Sequence, residues 1–227
     1  MLEQKKHTSG QFDLDMQHLF SLLLTMGKLV EQQLTNAMRV IRGDEGVDAQ
    51  AVIKGDKQVN AMEVAIDEAC VTLIARRQPV AQDLRFIITV LKTASELERI
   101  GDTVDKLCRT LLHNDIAKEH VVLEKMQLMA QQAIAMLHNS LNALNEMDLN
   151  YAIEVYAQDQ QIDQQYRALK SEITDLMRAN PDELERFITV LMCTRALERI
   201  GDRSQNICEF IYYYLKGHFP RHNDIQA

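Results

Sequence analysis

The chain has 227 residues, of which 46% are hydrophobic, and a formal net charge of −8. This length suits one large domain or two small ones with packed cores, while the acidic balance opposes nucleic-acid binding, because phosphates would repel it. With only 8 Gly, 3 Pro and no Trp, the punctuation that sheets and long loops need is scarce, and an all-helical fold is expected.

Residues 1–10 are polar, carry Lys5 and Lys6, and lack the apolar stretch of a secretory signal, so a flexible N-terminus is expected. No apolar run approaches the roughly 18 residues that a membrane span requires. The longest, from Leu19 to Met26, is broken by Ser21 and Thr25. A cytoplasmic protein without membrane insertion is expected.

Apolar residues then recur at intervals of three and four, the signature of amphipathic helices. Met16, Leu19, Leu23, Met26, Val30, Leu34, Ala37 and Ile41 mark a first helix from Phe12 to near Gly43. Val52, Val59, Met62, Ile66, Ala69 and Leu73 mark a second, from about Val47 to Arg76. Beyond Pro79, a third carries Leu84, Ile88, Leu91, Leu97, Ile100, Val104, Leu107 and Leu111 to about His113. The pattern predicts a fourth helix over Val122 to Met147 and a fifth over Asn150 to Met177, with Asp148 as the cap between them. Asn180-Pro181 opens the sixth, where proline is favoured because its missing N–H would be unpaired anyway, and this helix runs to about Leu215.

Short joints between long amphipathic helices make neighbours antiparallel. The expected architecture is all-α: two tandem antiparallel three-helix bundles, six long helices in all, related by internal duplication. The first bundle is assigned to residues 11–115 and the second to 119–217. Asn114 to His120 forms the seam, and 218–227 a C-terminal tail. The four cysteines (Cys70, Cys108, Cys193, Cys208) form no C-x-x-C and fall in apolar patterns, so they read as core residues of a reducing compartment. The run Tyr212-Tyr213-Tyr214 reads as packing between the bundles.

The duplication is explicit in one hexapeptide. Leu97-Glu98-Arg99-Ile100-Gly101-Asp102 returns 100 positions later as Leu197-Glu198-Arg199-Ile200-Gly201-Asp202. Leu84, Ile88, Thr89, Val90, Leu91 and Cys108 have identical counterparts at the same spacing. Each helical residue advances about 100°, so Glu98, Asp102 and Asp105 fall on one stripe, and Glu198 and Asp202 on its copy. Carboxylates four apart repel by a few tenths of a kcal/mol, and a mid-helix glycine costs roughly 1 kcal/mol against alanine. Both costs are incurred twice, at matching places.

The preceding helices carry a second spaced pair. Asp159 and Asp163 stand four apart, and Asp56 has Asn60 at the same spacing. If these rows face the first ones, each half gains three or four oxygen ligands. No histidine joins the spacing, so the set suits hard cations such as magnesium, manganese or oxidised iron rather than a structural zinc. The plain alternative is a solvated acidic face, with Lys106 pairing Asp102. Asn206 replaces that lysine in the second copy while the acids remain, which favours a metal role. Two further alternatives are a carboxylate-bridged di-iron enzyme and a metal-free helical scaffold. The di-iron site wants Glu-x-x-His on two helices, and Gly101 and Gly201 stand where its histidines would be.

The repeated acid–three residues–Asp signature (Glu98 to Asp102, Glu198 to Asp202, Asp159 to Asp163) resembles that of the PhoU family, regulators of bacterial phosphate uptake. Gly55-Asp56-Lys57, the segment Met62 to Cys70 and the segment Glu198 to Ile211 also resemble it, and the similarity runs over almost the full length. The resemblance implies a non-enzymatic cytoplasmic regulator, commonly a homodimer, that binds metal through the acidic motifs; some relatives hold iron or zinc, others magnesium or manganese. It implies two partners, the ATPase subunit of the phosphate ABC transporter and the phosphate sensor histidine kinase, and repression of the starvation response when phosphate is plentiful. Asn60 departs from the pattern. An amide oxygen ligates without charge, so the first site is expected to bind more weakly than the second.

Overall fold

The computed structural model describes residues 10–42, 44, 49–113 and 121–220. The expected N-terminal segment (but for Gly10), the seam at 114–120 and the tail beyond 220 lie outside the described residues. The described residues form six helices and no strand: α1 (Gly10–Arg42), α2 (Ala49–Arg77), α3 (Ala81–His113), α4 (Val121–Glu146), α5 (Leu149–Ala179) and α6 (Leu184–Lys216). The apolar positions read for α1 are buried from Phe12 through Met16, Leu19, Leu23, Met26, Val30 and Leu34 to Ala37, as one stripe facing inward should be.

The helix ends follow local chemistry. Asp148 caps α5, its carboxylate accepting the Tyr151 N–H at 3.1 Å. Pro181 opens a single 3-10 turn (Pro181–Glu183) that runs directly into α6, so the proline stands just ahead of the helix rather than at its first position. Gly217 ends α6 in the left-handed region, φ 86°, with its N–H bonded to the Tyr213 carbonyl.

Each half is an up-down-up bundle. The ion pair of Asp15 with Arg77 joins the start of α1 to the end of α2, and Lys125 with Glu172 does the same for α4 and α5. The halves then pack against each other through α3 on α6 and α1 on α4, and one continuous apolar core runs through both. Arg85 Nε donates to the Tyr214 carbonyl, Thr89 to the Phe210 carbonyl, and Arg203 to Glu96. Numbers rise along α3 as they fall along α6, so the two helices are antiparallel. Their register brings Arg99-Ile100 opposite Arg199-Ile200. The two copies of the hexapeptide therefore cross at the centre of the molecule, related by a near-twofold axis.

That crossing corrects one part of the sequence reading. Leu84, Ile88 and Leu91 are only half-buried, while Phe86, Ile87 and Val90 are fully buried. Helix α3 touches α1, α2 and α6, and a single amphipathic stripe cannot describe a helix covered on two sides. Tyr214 lies at the junction between halves, 5.8 Å from the Phe86 ring and bonded to Gln82. All four cysteines are buried free thiols. Burial pushes Cys70, Cys108 and Cys193 up to about 12, which disfavours their thiolates.

Candidate functional site

In the second half, α5 and α6 run antiparallel and bring the two acidic rows face to face. Asp159, Asp163 and Asp202 each offer a carboxylate oxygen, and these oxygens lie within 4.8 Å of one another. Asp159 is 7% exposed and its Oδ1 has no hydrogen-bond partner; Glu198, 6% exposed, has an equally unpartnered Oε2. The other Glu198 oxygen accepts from Arg195, whose guanidinium also lies over the Tyr166 ring. Asp163 is held by Arg167 at 2.8 Å.

This density of acid has an electrostatic cost. Burial, then the charges of Asp202, Asp163 and Glu198, raise the Asp159 carboxyl to about 7. Burial followed by Asp202 raises Glu198, and burial followed by Asp163 raises Asp202. Gly201 makes the close approach possible. A Cβ there would lie 2.8 Å from Asp159 Oδ1 and 3.1 Å from Ile162 Cδ1. The duplicated glycine thus exchanges helix propensity for contact between a backbone and a carboxylate.

The first half repeats the plan more loosely. Asp56 faces Asp102 and Asp105, and burial followed by the charges of Asp105 and Asp102 raises its carboxyl. Burial, then Asp102, Glu63 and Asp56, raise Glu98. Yet among the described residues only the second-half trio reaches metal-ligating density. Three interactions explain the difference. Asn60 Nδ2 donates to Asp56 at 3.3 Å, Arg109 grips Asp105 in two bonds of 2.7 and 3.0 Å, and Lys106 holds the more exposed Asp102 at 3.1 Å. Asp56 Oδ1 and Asn60 Oδ1 are nevertheless buried without partners.

All eight sequence-predicted residues therefore sit in two clusters: Asp56, Glu98, Asp102 and Asp105 in one, Asp159, Asp163, Glu198 and Asp202 in the other. The donors are carboxylate and amide oxygens, and no histidine or cysteine enters the trio. A buried unpartnered acceptor costs about 1–3 kcal/mol, and a hard divalent cation would satisfy several at once. The residues present fit such an ion. Sequence reasoning missed Glu63, which faces Glu98 from α2, and Gln33, whose Oε1 lies with Asp56 Oδ1 beside Gly101. Gln32-Gln33 returning as Gln131-Gln132 was a readable signal for Gln33.

The fold and site define a class: duplicated all-helical proteins with one acidic cluster per half. Comparison with known proteins makes the class specific. A family model for the PhoU domain matches twice, over residues 23–111 and 126–211, and the chain belongs to the PhoU family. It is 45% identical to the phosphate-specific transport system accessory protein PhoU of Edwardsiella tarda over 221 residues, covering 97% of this chain and 91% of that protein. Against the protein of that name from Escherichia coli (strain K12) it is 44% identical over 221 residues, covering 97% and 92%. A crystal structure of PhoU from Pseudomonas aeruginosa superposes with a TM-score of 0.84 at 35% identity, covering 91% of this chain and all of that one. The phosphate transport system regulatory protein PhoU from Streptococcus pneumoniae gives 0.84 at 30%, covering 92% and 99%. No helix among the described residues is long and apolar enough to cross a membrane.

Proposed function

We propose that this chain is a non-enzymatic cytoplasmic regulator of phosphate uptake whose two acidic clusters hold hard cations. Its relatives bear the names of phosphate transport accessory and regulatory proteins. In this reading it docks on the ATPase subunit of the phosphate ABC transporter and on the phosphate sensor histidine kinase. It acts as a dimer and keeps the starvation response off when phosphate is plentiful.

The observation that carries the cation-binding part is the trio of Asp159, Asp163 and Asp202, with buried unpartnered oxygens on Asp159 and Glu198. Magnesium, manganese or iron would supply positive charge where three carboxylates now repel. Asp159 and Asp202 hold the ion between α5 and α6, Asp163 and Glu198 complete the set, and Arg195 moderates the charge of Glu198. Neutralised, the acidic face no longer repels acidic surfaces of a partner, so cation occupancy controls docking.

The test is a pull-down of the transporter ATPase and the kinase with wild type, Glu98→Ala/Asp102→Ala and Glu198→Ala/Asp202→Ala, alongside elemental analysis of each protein. Both double variants are expected to lose metal and to weaken association. Unchanged association with metal lost would separate the clusters from docking; no metal in wild type under any loading would refute the cation sites.

A further inference from the structure

We propose that Gln33 is a cation ligand that α1 supplies to the first cluster, which thereby draws oxygens from three helices, α1, α2 and α3. The inference rests on the cation-binding reading above and assigns it a residue outside the acidic rows.

Gln33 is 5% exposed, and neither Oε1 nor Nε2 has a hydrogen-bond partner. Its amide is nonetheless tightly placed. Nε2 lies 2.6 Å from where a Cβ on Gly55 would stand. Around the corresponding point on Gly101 lie Asp56 Oδ1 at 3.5 Å and Gln33 Oε1 at 3.7 Å. The amide thus rests across bare backbone of α2, with its oxygen on the same side of α3 as the Asp56 carboxylate. A Cβ at Gly55 would push the amide aside.

Gln33 Oε1 and Asp56 Oδ1 thus flank the same point on Gly101 without partners, and Asn60, bonded to the other Asp56 oxygen, has a third buried unpartnered oxygen, Oδ1. Nothing apolar explains a glutamine here. Its sequence neighbours on the inward face, Val30, Leu34 and Ala37, are fully buried aliphatics, and leucine would fill the same volume without burying an amide. The position recurs, because Gln132 on α4 also has a buried unpartnered Oε1. Carbonyl and amide oxygens are ordinary ligands for magnesium, manganese and calcium. Two amides, Gln33 and Asn60, then stand beside the carboxylates of the first cluster, a mixed oxygen set that suits a divalent ion.

The experiment uses the full-length chain carrying Asp159→Asn/Asp202→Asn, which silences the second cluster. Free Mn²⁺ is followed by electron paramagnetic resonance, and metal-free thermal unfolding is recorded in parallel. Gln33→Leu is expected to weaken Mn²⁺ binding at least tenfold while leaving the metal-free melting temperature unchanged or higher, because an unpartnered amide has been removed. Gln33→Glu is expected to lower the metal-free melting temperature and to recover it on adding Mn²⁺, with tighter binding than the parent. Parental Mn²⁺ affinity in Gln33→Leu, or a Gln33→Glu loss that Mn²⁺ does not recover, overturns the assignment. If Asp56→Asn/Asp102→Asn in the same background still abolishes binding, that failure belongs to Gln33 alone. A parent and wild type that both bind no Mn²⁺ refute the underlying reading instead.

Discussion

Asp159 of α5 lies so close to Gly201 of α6 that one added methyl would stand 2.8 Å from its Oδ1. The matching glycine of the first half, Gly101, is less crowded: a Cβ there would meet Val59 Cγ1 at 3.3 Å and Asp56 Oδ1 at 3.5 Å. Identical residues in duplicated hexapeptides therefore carry different loads.

Alanine at the two glycines should separate them. Gly101→Ala gains roughly 1 kcal/mol of helix propensity against mild crowding, and its denaturation midpoint is expected at or above wild type. Gly201→Ala gains the same but must displace the Asp159 carboxylate and Ile162. Its metal-free stability should stay within about 1 kcal/mol of wild type, and its second-cluster cation affinity should fall at least tenfold. Urea melts and Mn²⁺ titration check both. Equal cation affinity in the two variants would contradict the difference in geometry.

Stability should depend on pH through Asp159, whose carboxyl rises from an ordinary 3.8 to about 7. Between those values the folded chain keeps a proton that the unfolded chain has released, so stability falls as pH rises through the interval and is lowest above 7. A rise of this size bounds the loss at about 4 kcal/mol. Asp159→Asn in a chelating buffer should flatten that fall and melt higher than wild type at pH 8. A wild-type profile flat from pH 4 to pH 8 would refute the raised carboxyl.

Cation addition should act with the opposite sign. A ligand at one hundred times its dissociation constant stabilises the folded state by about 2.7 kcal/mol. Manganese should raise the wild-type melting temperature at pH 8 and lose effect below pH 7, as protons compete for Asp159. Asp159→Asn/Asp202→Asn should lose the larger part of the response. Calorimetric scans with and without a chelator measure it.

The junction between halves makes a separate prediction. Arg203 and Glu96 pair at 3.1 Å with side chains only 13% and 12% exposed. Glu96→Gln leaves the arginine charge poorly compensated and should cost about 2–3 kcal/mol by denaturant melts. Cation affinity at Asp159 should not change. A cost near zero would mean that water already serves the guanidinium.

Much of this was legible because helical period, capping and duplication are local signals. Asp148 announced the start of α5, and the paired hexapeptides announced two like sites. Spacing could also say that Asp159, Asp163 and Asp202 belong to facing rows. What spacing could not carry was competition among partners. That Arg109 and Lys106 would occupy Asp105 and Asp102 while Asp202 stayed available depends on side-chain reach across turns. The burial of Phe86 and Val90 was hidden for another reason: α3 is covered by the other half, and the period of one helix does not report what lies on its second face. Gln33 escaped because an amide pair beside an apolar stripe looks like its polar margin.

The antiparallel crossing of α3 on α6 also speaks to ancestry. A polypeptide half this long would leave the crossing face of its third helix bare, and an identical copy, turned by half a revolution, would cover it. The two halves of the present chain cover each other in that way, α3 on α6. Once joined, each half was free to change alone, and Asn60, standing where the second half has Asp163, is a mark of that freedom.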